Sequence, residues 1–327
     1  MLSGRILKKI FITLLIVSAL VLFAACYTGV PLDADAAGNN DSGAAAEIGD
    51  KVITIDSSLP LAAQTSAATA SAVFNGGGNV DTTSLQNGSV TLNTNLADKG
   101  IVGICADMEG GKKLKAKVAL DDQAVYYDIS PGEMIKVPMQ FGNGTYRVEL
   151  YQNISGSEYA GLYGEDVDIS MSDANTPFLY SSEIVDYEDS AVSYPLTAAL
   201  MQGKGSDGEI LAACYDYVTK NITYDYDKIN HIDSSYIPDI DEVLNSKKGI
   251  CYDYAAVMAS LLREAGIPAK LMMGYRTDAQ EYHAWNQALV DGEWVTVDAT
   301  WGAVMLQSGQ SDEVVKDASL YSADKYF

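Results

Sequence analysis

Residues 249–268 read Gly249-Ile250-Cys251-Tyr252-Asp253-Tyr254-Ala255-Ala256-Val257-Met258-Ala259-Ser260-Leu261-Leu262-Arg263-Glu264-Ala265-Gly266-Ile267-Pro268. A glycine and then a proline just past the end of an apolar run is a helix stop, so the stretch predicts a helix that opens at Cys251 and closes before Gly266. Ala255, Ala256, Val257, Met258, Leu261 and Leu262 lie on nearly every side of that helix, which predicts burial on most of its surface. Cys251 then stands at the N-terminus of a central helix. There the unpaired backbone N–H groups and the helix dipole favour the thiolate, the reactive form of cysteine.

Downstream, an apolar strand over residues 270–275 precedes Tyr282-His283-Ala284-Trp285, a run to Val290, the pair Asp291-Gly292, and Trp294 to Asp298. Asp-Gly between two such runs is a strong hairpin signal. With Asp291 and Gly292 as the loop, Val290 pairs with Glu293, Trp285 faces Asp298 and His283 faces Thr300. His283 and Asp298 become diagonal neighbours on one face, and a slip of one residue would separate them. A carboxylate there bonds one imidazole nitrogen and aims the other at a thiol, the roles of orienter and base. Each residue alone has a plainer reading, since a buried Cys is usually an inert small hydrophobe and a His beside Trp is usually structural.

The segments Gly249-Ile250-Cys251 to Tyr254, Gly266-Ile267-Pro268, Gly274-Tyr275, His283-Ala284-Trp285 and Trp294-Val295-Thr296-Val297-Asp298-Ala299-Thr300 resemble the transglutaminase-like superfamily of papain-like cysteine folds. The resemblance covers roughly residues 207–305, and its spaced motifs occur in the family's order. It implies Cys251 as nucleophile, His283 as base and Asp298 as orienter, the roles reached above from the hairpin. The region upstream looks like that of bacterial surface lipoproteins that carry such a domain. The implied fold is α+β: a β-sandwich, then a papain-like domain whose central helix packs on an antiparallel sheet. The implied activity is acyl transfer from protein or peptide amides through a thioester. The alternatives are a cysteine peptidase or amidase with the same triad, and a non-catalytic surface module that binds a cell-wall component or protein partner. Asn245 resembles the side-chain amide position of papain-like enzymes; a loop cap is its plainer role. The Cys251 N–H is the natural oxyanion donor. Trp285 and Trp301 either wall the cleft or pack. No cofactor is implied. Zinc would need three or four ligands, whereas the chain has two His, of which His231 lies in an irregular stretch near Pro238.

The rest of the chain is organised around this segment. Arg5, Lys8 and Lys9 precede an apolar run from Ile10 to Phe23, the layout of a secretory signal over residues 1–25. Leu22-Phe23-Ala24-Ala25-Cys26 resembles a bacterial lipobox, with Phe23 where Leu is usual, and implies cleavage before Cys26 and lipid attachment to its thiol. An uncleaved anchor or a freely secreted form are the alternatives, and all three place the bulk of the protein outside the cytoplasm. Residues 26–87, rich in Ala, Ser, Thr, Asn, Asp and Gly, read as a flexible tether. Over 88–172, Leu114, Ala116, Val118 and Leu120, and again Tyr146, Val148 and Leu150, recur at period two. Turn signals separate such runs, and roughly six strands of a sandwich fit there. A Tyr- and acid-rich linker covers 173–206. The catalytic domain covers 207–327, with Asp207 as N-cap of a helix whose face carries Ile210, Leu211, Cys214, Val218 and Ile222.

The 327 residues are 48 % hydrophobic, enough for real cores, and carry a formal charge of −23. Removal of residues 1–25 takes away three basic residues and no acidic one, leaving −26. That charge disfavours nucleic acid as a partner. The resemblance implies a protein or cell-wall peptide as substrate, and the lipobox implies the membrane as a partner through lipid on Cys26; oligomeric state is open. Of the four Cys, Cys26 and Cys251 have roles, and Cys105 and Cys214 sit in apolar stretches as buried free thiols.

Overall fold

The computed structural model describes residues 79–279 and 281–327. The signal segment, Cys26 and most of the tether lie outside these residues.

Eight strands precede the first helix: β1 (Val80–Leu85), β2 (Gly88–Leu96), β3 (Ile101–Met108), β4 (Leu114–Leu120), β5 (Gln123–Ile129), β6 (Met134–Pro138), β7 (Gly144–Ser155) and β8 (Glu158–Ile169). They form two four-stranded antiparallel sheets, ordered β1-β2-β3-β6 and β5-β4-β7-β8. Period-two burial explains the pairing: Leu114, Ala116 and Val118 on β4 share a core with Val148 and Leu150 on β7 and with Val90, Ile104 and Ala106 of the other sheet. The sandwich has eight strands rather than six. β1 falls inside the stretch read as tether, because its exposed polar residues carry no alternation and it is held by pairing with β2.

The connector is also more ordered than its composition suggests. Phe178 and Tyr187 are buried, and the Tyr187 hydroxyl donates to the Leu179 carbonyl at 2.7 Å. Helix α1 (Ser193–Met201) starts within the stretch read as linker. Helix α2 (Asp207–Asn221) follows, capped by Ser206 rather than Asp207. The Ser206 side chain accepts from the Glu209 N–H, leaving Asp207 in the first turn, where its charge suits the helix dipole.

Next come β9 (Thr223–Tyr224), α3 (Ile240–Ser246), β10 (Lys248–Gly249), α4 (Cys251–Glu264), β11 (Ala269–Arg276), β12 (Tyr282–Val290), β13 (Glu293–Val297), α5 (Ala299–Gln307), β14 (Val315–Lys316) and β15 (Tyr321–Tyr326). The five-stranded sheet runs β14-β13-β12-β11-β15, all antiparallel, and α4 packs on β11 and β12 with the other helices around it. Every residue of α4 from Asp253 to Glu264 is buried, as its all-round apolar character requires. Val257, Met258, Leu261 and Leu262 are wholly excluded from solvent; each contributes about 1.5–3 kcal/mol by burial.

Two glycines set close approaches. A Cβ at Gly249 would meet the Asp253 Cβ at 2.6 Å, so glycine lets Asp253 fold back to accept from the Ile250 N–H at 2.8 Å. A Cβ at Gly274 would meet the Ser322 carbonyl oxygen at 2.1 Å, at the bulge where β15 presses onto β11. Strand β15 also joins the sandwich to the sheet: the Gln140 side-chain amide donates to the Tyr326 carbonyl at 2.8 Å, and the Phe141 and Tyr326 rings meet edge-on.

Candidate active site

The turn Asp291-Gly292 has φ of 52° and 83°, the paired positive values of a type I′ hairpin. Pairing runs from Val290 with Glu293 to Asn286 with Val297, in the register the turn predicts. It ends there. Asp298 is the N-cap of α5, and Thr300 lies within that helix rather than opposite His283 as the extended register implied. The strand gives way to the helix at Asp298, whose side chain accepts from the Trp301 N–H at 2.9 Å and so caps α5.

One carboxylate therefore does two things. Asp298 Oδ1 caps α5, while Oδ2 lies 2.8 Å from His283 Nε2. Asp298 is fully buried, and only 16 % of the His283 side chain is exposed. With Nε2 engaged, Nδ1 is the nitrogen left for the thiol, and Cys251 lies close enough to the imidazole to favour its protonated form. Cys251, half-buried, is the first residue of α4. The structure thus brings Cys251, His283 and Asp298 together from a helix start, a strand start and a helix cap.

Burial by itself would lower the His283 pKa, but the Asp298 carboxylate and Cys251 together outweigh it and push it up to about 10. These contacts therefore favour the imidazolium form of the ring. For Asp298, burial would raise the carboxyl, and the His283 ring, the Trp301 amide and the Tyr321 hydroxyl reverse that, holding it below the usual carboxylate range.

Sequence reasoning missed four neighbours. Tyr224 lies on β9, which runs parallel to β10, with Tyr224 beside Gly249 and the Asp225 N–H donating to the Gly249 carbonyl at 2.9 Å. Its hydroxyl faces the Cys251 backbone. A two-residue parallel strand leaves no periodicity, so only the alternation Ile222-Thr223-Tyr224 hinted at it. Tyr321 on β15 donates to Asp298 Oδ2 at 3.0 Å, and Arg276 Nη1 lies 3.7 Å from the same oxygen. Asp253 anchors the start of α4 from below, fully buried and bonded to Ile250 N, the Tyr236 hydroxyl and Lys228 Nζ.

Other expected residues stand elsewhere. Asn245 is exposed on α3. Trp285 is buried, stacked on His283 with ring centroids 6.2 Å apart, and Trp301 packs under Arg276, so both brace the site. His231 bonds the Asp227 carbonyl at an exposed turn. Among the described residues no group of three or more His, Cys, Asp and Glu is placed to hold a metal ion. Cys105 and Cys214 are free thiols, and burial raises Cys214 to about 12, which makes it inert at neutral pH.

A helix-borne cysteine facing a His–Asp pair on an antiparallel sheet is the arrangement of papain-like cysteine folds. Residues 194–299 match the model of the transglutaminase-like superfamily, and this part of the chain is a transglutaminase-like domain. Kyphoscoliosis peptidase from Mus musculus is 28% identical over 126 residues, 36% of this chain and 19% of that protein. The Homo sapiens protein of the same name is 27% identical over 142 residues, 40% of this chain and 21% of its own length. The chain thus spans about a fifth of the length of these curated relatives. Among solved structures, the periplasmic domain of TgpA from Pseudomonas aeruginosa has a TM-score of 0.33 and 14% identity, over 69% of this chain and 96% of that one.

Proposed function

We propose that the protein is a cysteine acyltransferase that acts on protein or peptide amides, tethered to the outer face of the cell membrane through lipid on Cys26. The observation that carries the chemistry is the chain of contacts from Asp298 through His283 to Cys251. The Cys251 thiolate attacks the amide carbonyl, forming the S–C bond. We assign the Cys251 N–H at the start of α4, with Tyr224 beside it on β9, as donors to the negative oxygen that develops. As the C–N bond breaks, the His283 imidazolium gives its proton to the departing amine.

Acylation then changes the base. The Cys251 sulfur beside the ring is one of the causes that favour the proton on His283, and in the thioester that sulfur can no longer carry charge. The ring, still oriented by Asp298, is freed to take a proton from the incoming acceptor. An amine acceptor forms a new amide and yields a cross-link; water yields the acid. The C–S bond breaks in either case and the proton returns to the pair.

The test is incorporation of a fluorescent primary amine into casein, with ammonia release measured in parallel. Incorporation that Cys251→Ala abolishes supports transferase activity. Ammonia release without amine incorporation would mean hydrolysis, and turnover retained in Cys251→Ala would refute the assignment. Localisation is supported by Arg5, Lys8 and Lys9 before the apolar run and by Ala24-Ala25-Cys26. Labelling of cells with an alkyne fatty acid, lost in Cys26→Ser, tests it.

A further inference from the structure

The catalytic carboxylate is held by more than its histidine. Asp298 Oδ1 accepts from the Trp301 N–H at 2.9 Å, while Oδ2 receives His283 Nε2 at 2.8 Å and the Tyr321 hydroxyl at 3.0 Å. Tyr321 lies on β15, beyond the segment that matches the transglutaminase-like family. Its hydroxyl also receives Arg276 Nη1 at 3.0 Å. Arginine can only donate, so this bond occupies an acceptor site on the tyrosine oxygen and leaves its single proton for Asp298. The direction of the Tyr321 hydroxyl is thereby set.

Arg276 is fixed in turn. Its Nε and Nη2 donate to the two oxygens of Asp278, each at 2.9 Å, and its guanidinium carbon sits 3.8 Å from the centre of the Trp301 ring. A bidentate fork together with a ring contact leaves the group little freedom. Arg276 and Tyr321 are direct partners across the β11–β15 pair, in the register that follows the shift at Gly274, where β15 lies close against β11. Only 6 % of the Arg276 side chain is exposed and Asp298 is wholly buried, so the contacts around the Asp298 carboxylate are shielded from water, while Asp278 holds the outer end of the guanidinium at the surface.

We infer that Arg276 and Tyr321 are positioning residues, forming with Asp278 a relay that fixes the Asp298 carboxylate and through it the orientation of His283, so that the last strand completes the catalytic site. The inference rests on the acyl-transfer chemistry proposed above. Neither residue touches the thiol. Their effect is on the step that needs an oriented base, the resolution of the thioester.

The experiment uses the full chain in detergent with p-nitrophenyl acetate, whose acylation of a thiol releases p-nitrophenolate in a burst and whose turnover then follows deacylation by water. Tyr321→Phe is expected to keep the burst amplitude while turnover falls roughly tenfold, the scale of one hydrogen bond to a charged group. In an Asp298→Ala background the same change is expected to do nothing further, because its effect passes through that carboxylate. Arg276→Gln is the second variant, with the same loss of turnover and the same silence when Asp298 is Ala. Tyr275→Phe, an exposed neighbour on β11, is the control. Turnover within twofold of wild type in Tyr321→Phe, or an undiminished effect without Asp298, would overturn the relay. A burst that survives Cys251→Ala would instead overturn the acyl-transfer chemistry, and the relay with it.

Discussion

Glu264, near the end of the catalytic helix, offers a quantitative test of how that helix is held. Its Oε1 accepts from the Ser193 hydroxyl at 2.6 Å and its Oε2 from the Thr197 hydroxyl at 2.5 Å, tying α4 to α1. Burial raises its carboxyl to about 7, against the opposing pull of those two hydroxyls. A rise from 4.5 to about 7 at about 1.36 kcal/mol per pH unit amounts to about 3 kcal/mol. The folded state binds this proton more tightly than the unfolded chain. The stabilisation is therefore complete below pH 4.5 and is lost as pH rises to about 7. Glu264→Gln keeps the shape and removes the titration. Urea unfolding of wild type and variant at half-unit steps from pH 4 to pH 8 isolates this group, since the other carboxylates cancel in the difference. Wild-type stability relative to the variant is expected to fall by about 3 kcal/mol across that window. A difference that stays constant with pH would refute the account of Glu264 as a buried acid that must ionise at a cost.

Three further outcomes follow from individual contacts. Asp253→Asn leaves Lys228 without its buried partner and loosens the start of α4; a loss of about 3–5 kcal/mol is expected by denaturant titration. Gly274→Ala drives a Cβ into the Ser322 carbonyl; it should cost about 1–3 kcal/mol in the same assay and lower turnover by displacing Tyr321. Tyr224→Phe removes a hydroxyl that faces the Cys251 backbone; acylation should slow by about 10²-fold in stopped-flow measurements while the melting temperature changes little.

The features read from sequence were those encoded locally. Gly266 and Pro268 end α4, the apolar residues around it bury it, and Asp291-Gly292 sets the register that carries His283 toward Asp298. What was missed arises from contacts distant in sequence. β1 is polar and exposed and exists through its partner strand, so no pattern marks it. The connector's acidic composition hid Phe178 and Tyr187, which pack inside, and α1, whose Ser193 and Thr197 face Glu264 some seventy residues away. β13 ends where Asp298 becomes the N-cap of α5, a role that the hairpin pattern does not mark. Tyr224, Arg276 and Tyr321 reach the site from separate elements, with Tyr321 some seventy residues beyond Cys251.

The pairing of Cys251 with His283 is central to this account, and it can be measured without knowing the substrate. The chain beginning at residue 27 is treated with iodoacetamide across pH 5 to 9 in wild-type and His283→Ala forms, and the modified cysteine is mapped by mass spectrometry. The account predicts that Cys251 is alkylated well ahead of Cys105 and Cys214 at neutral pH and that His283→Ala abolishes this preference. A Cys251 that is unreactive in the folded protein, or equally reactive without His283, would contradict it.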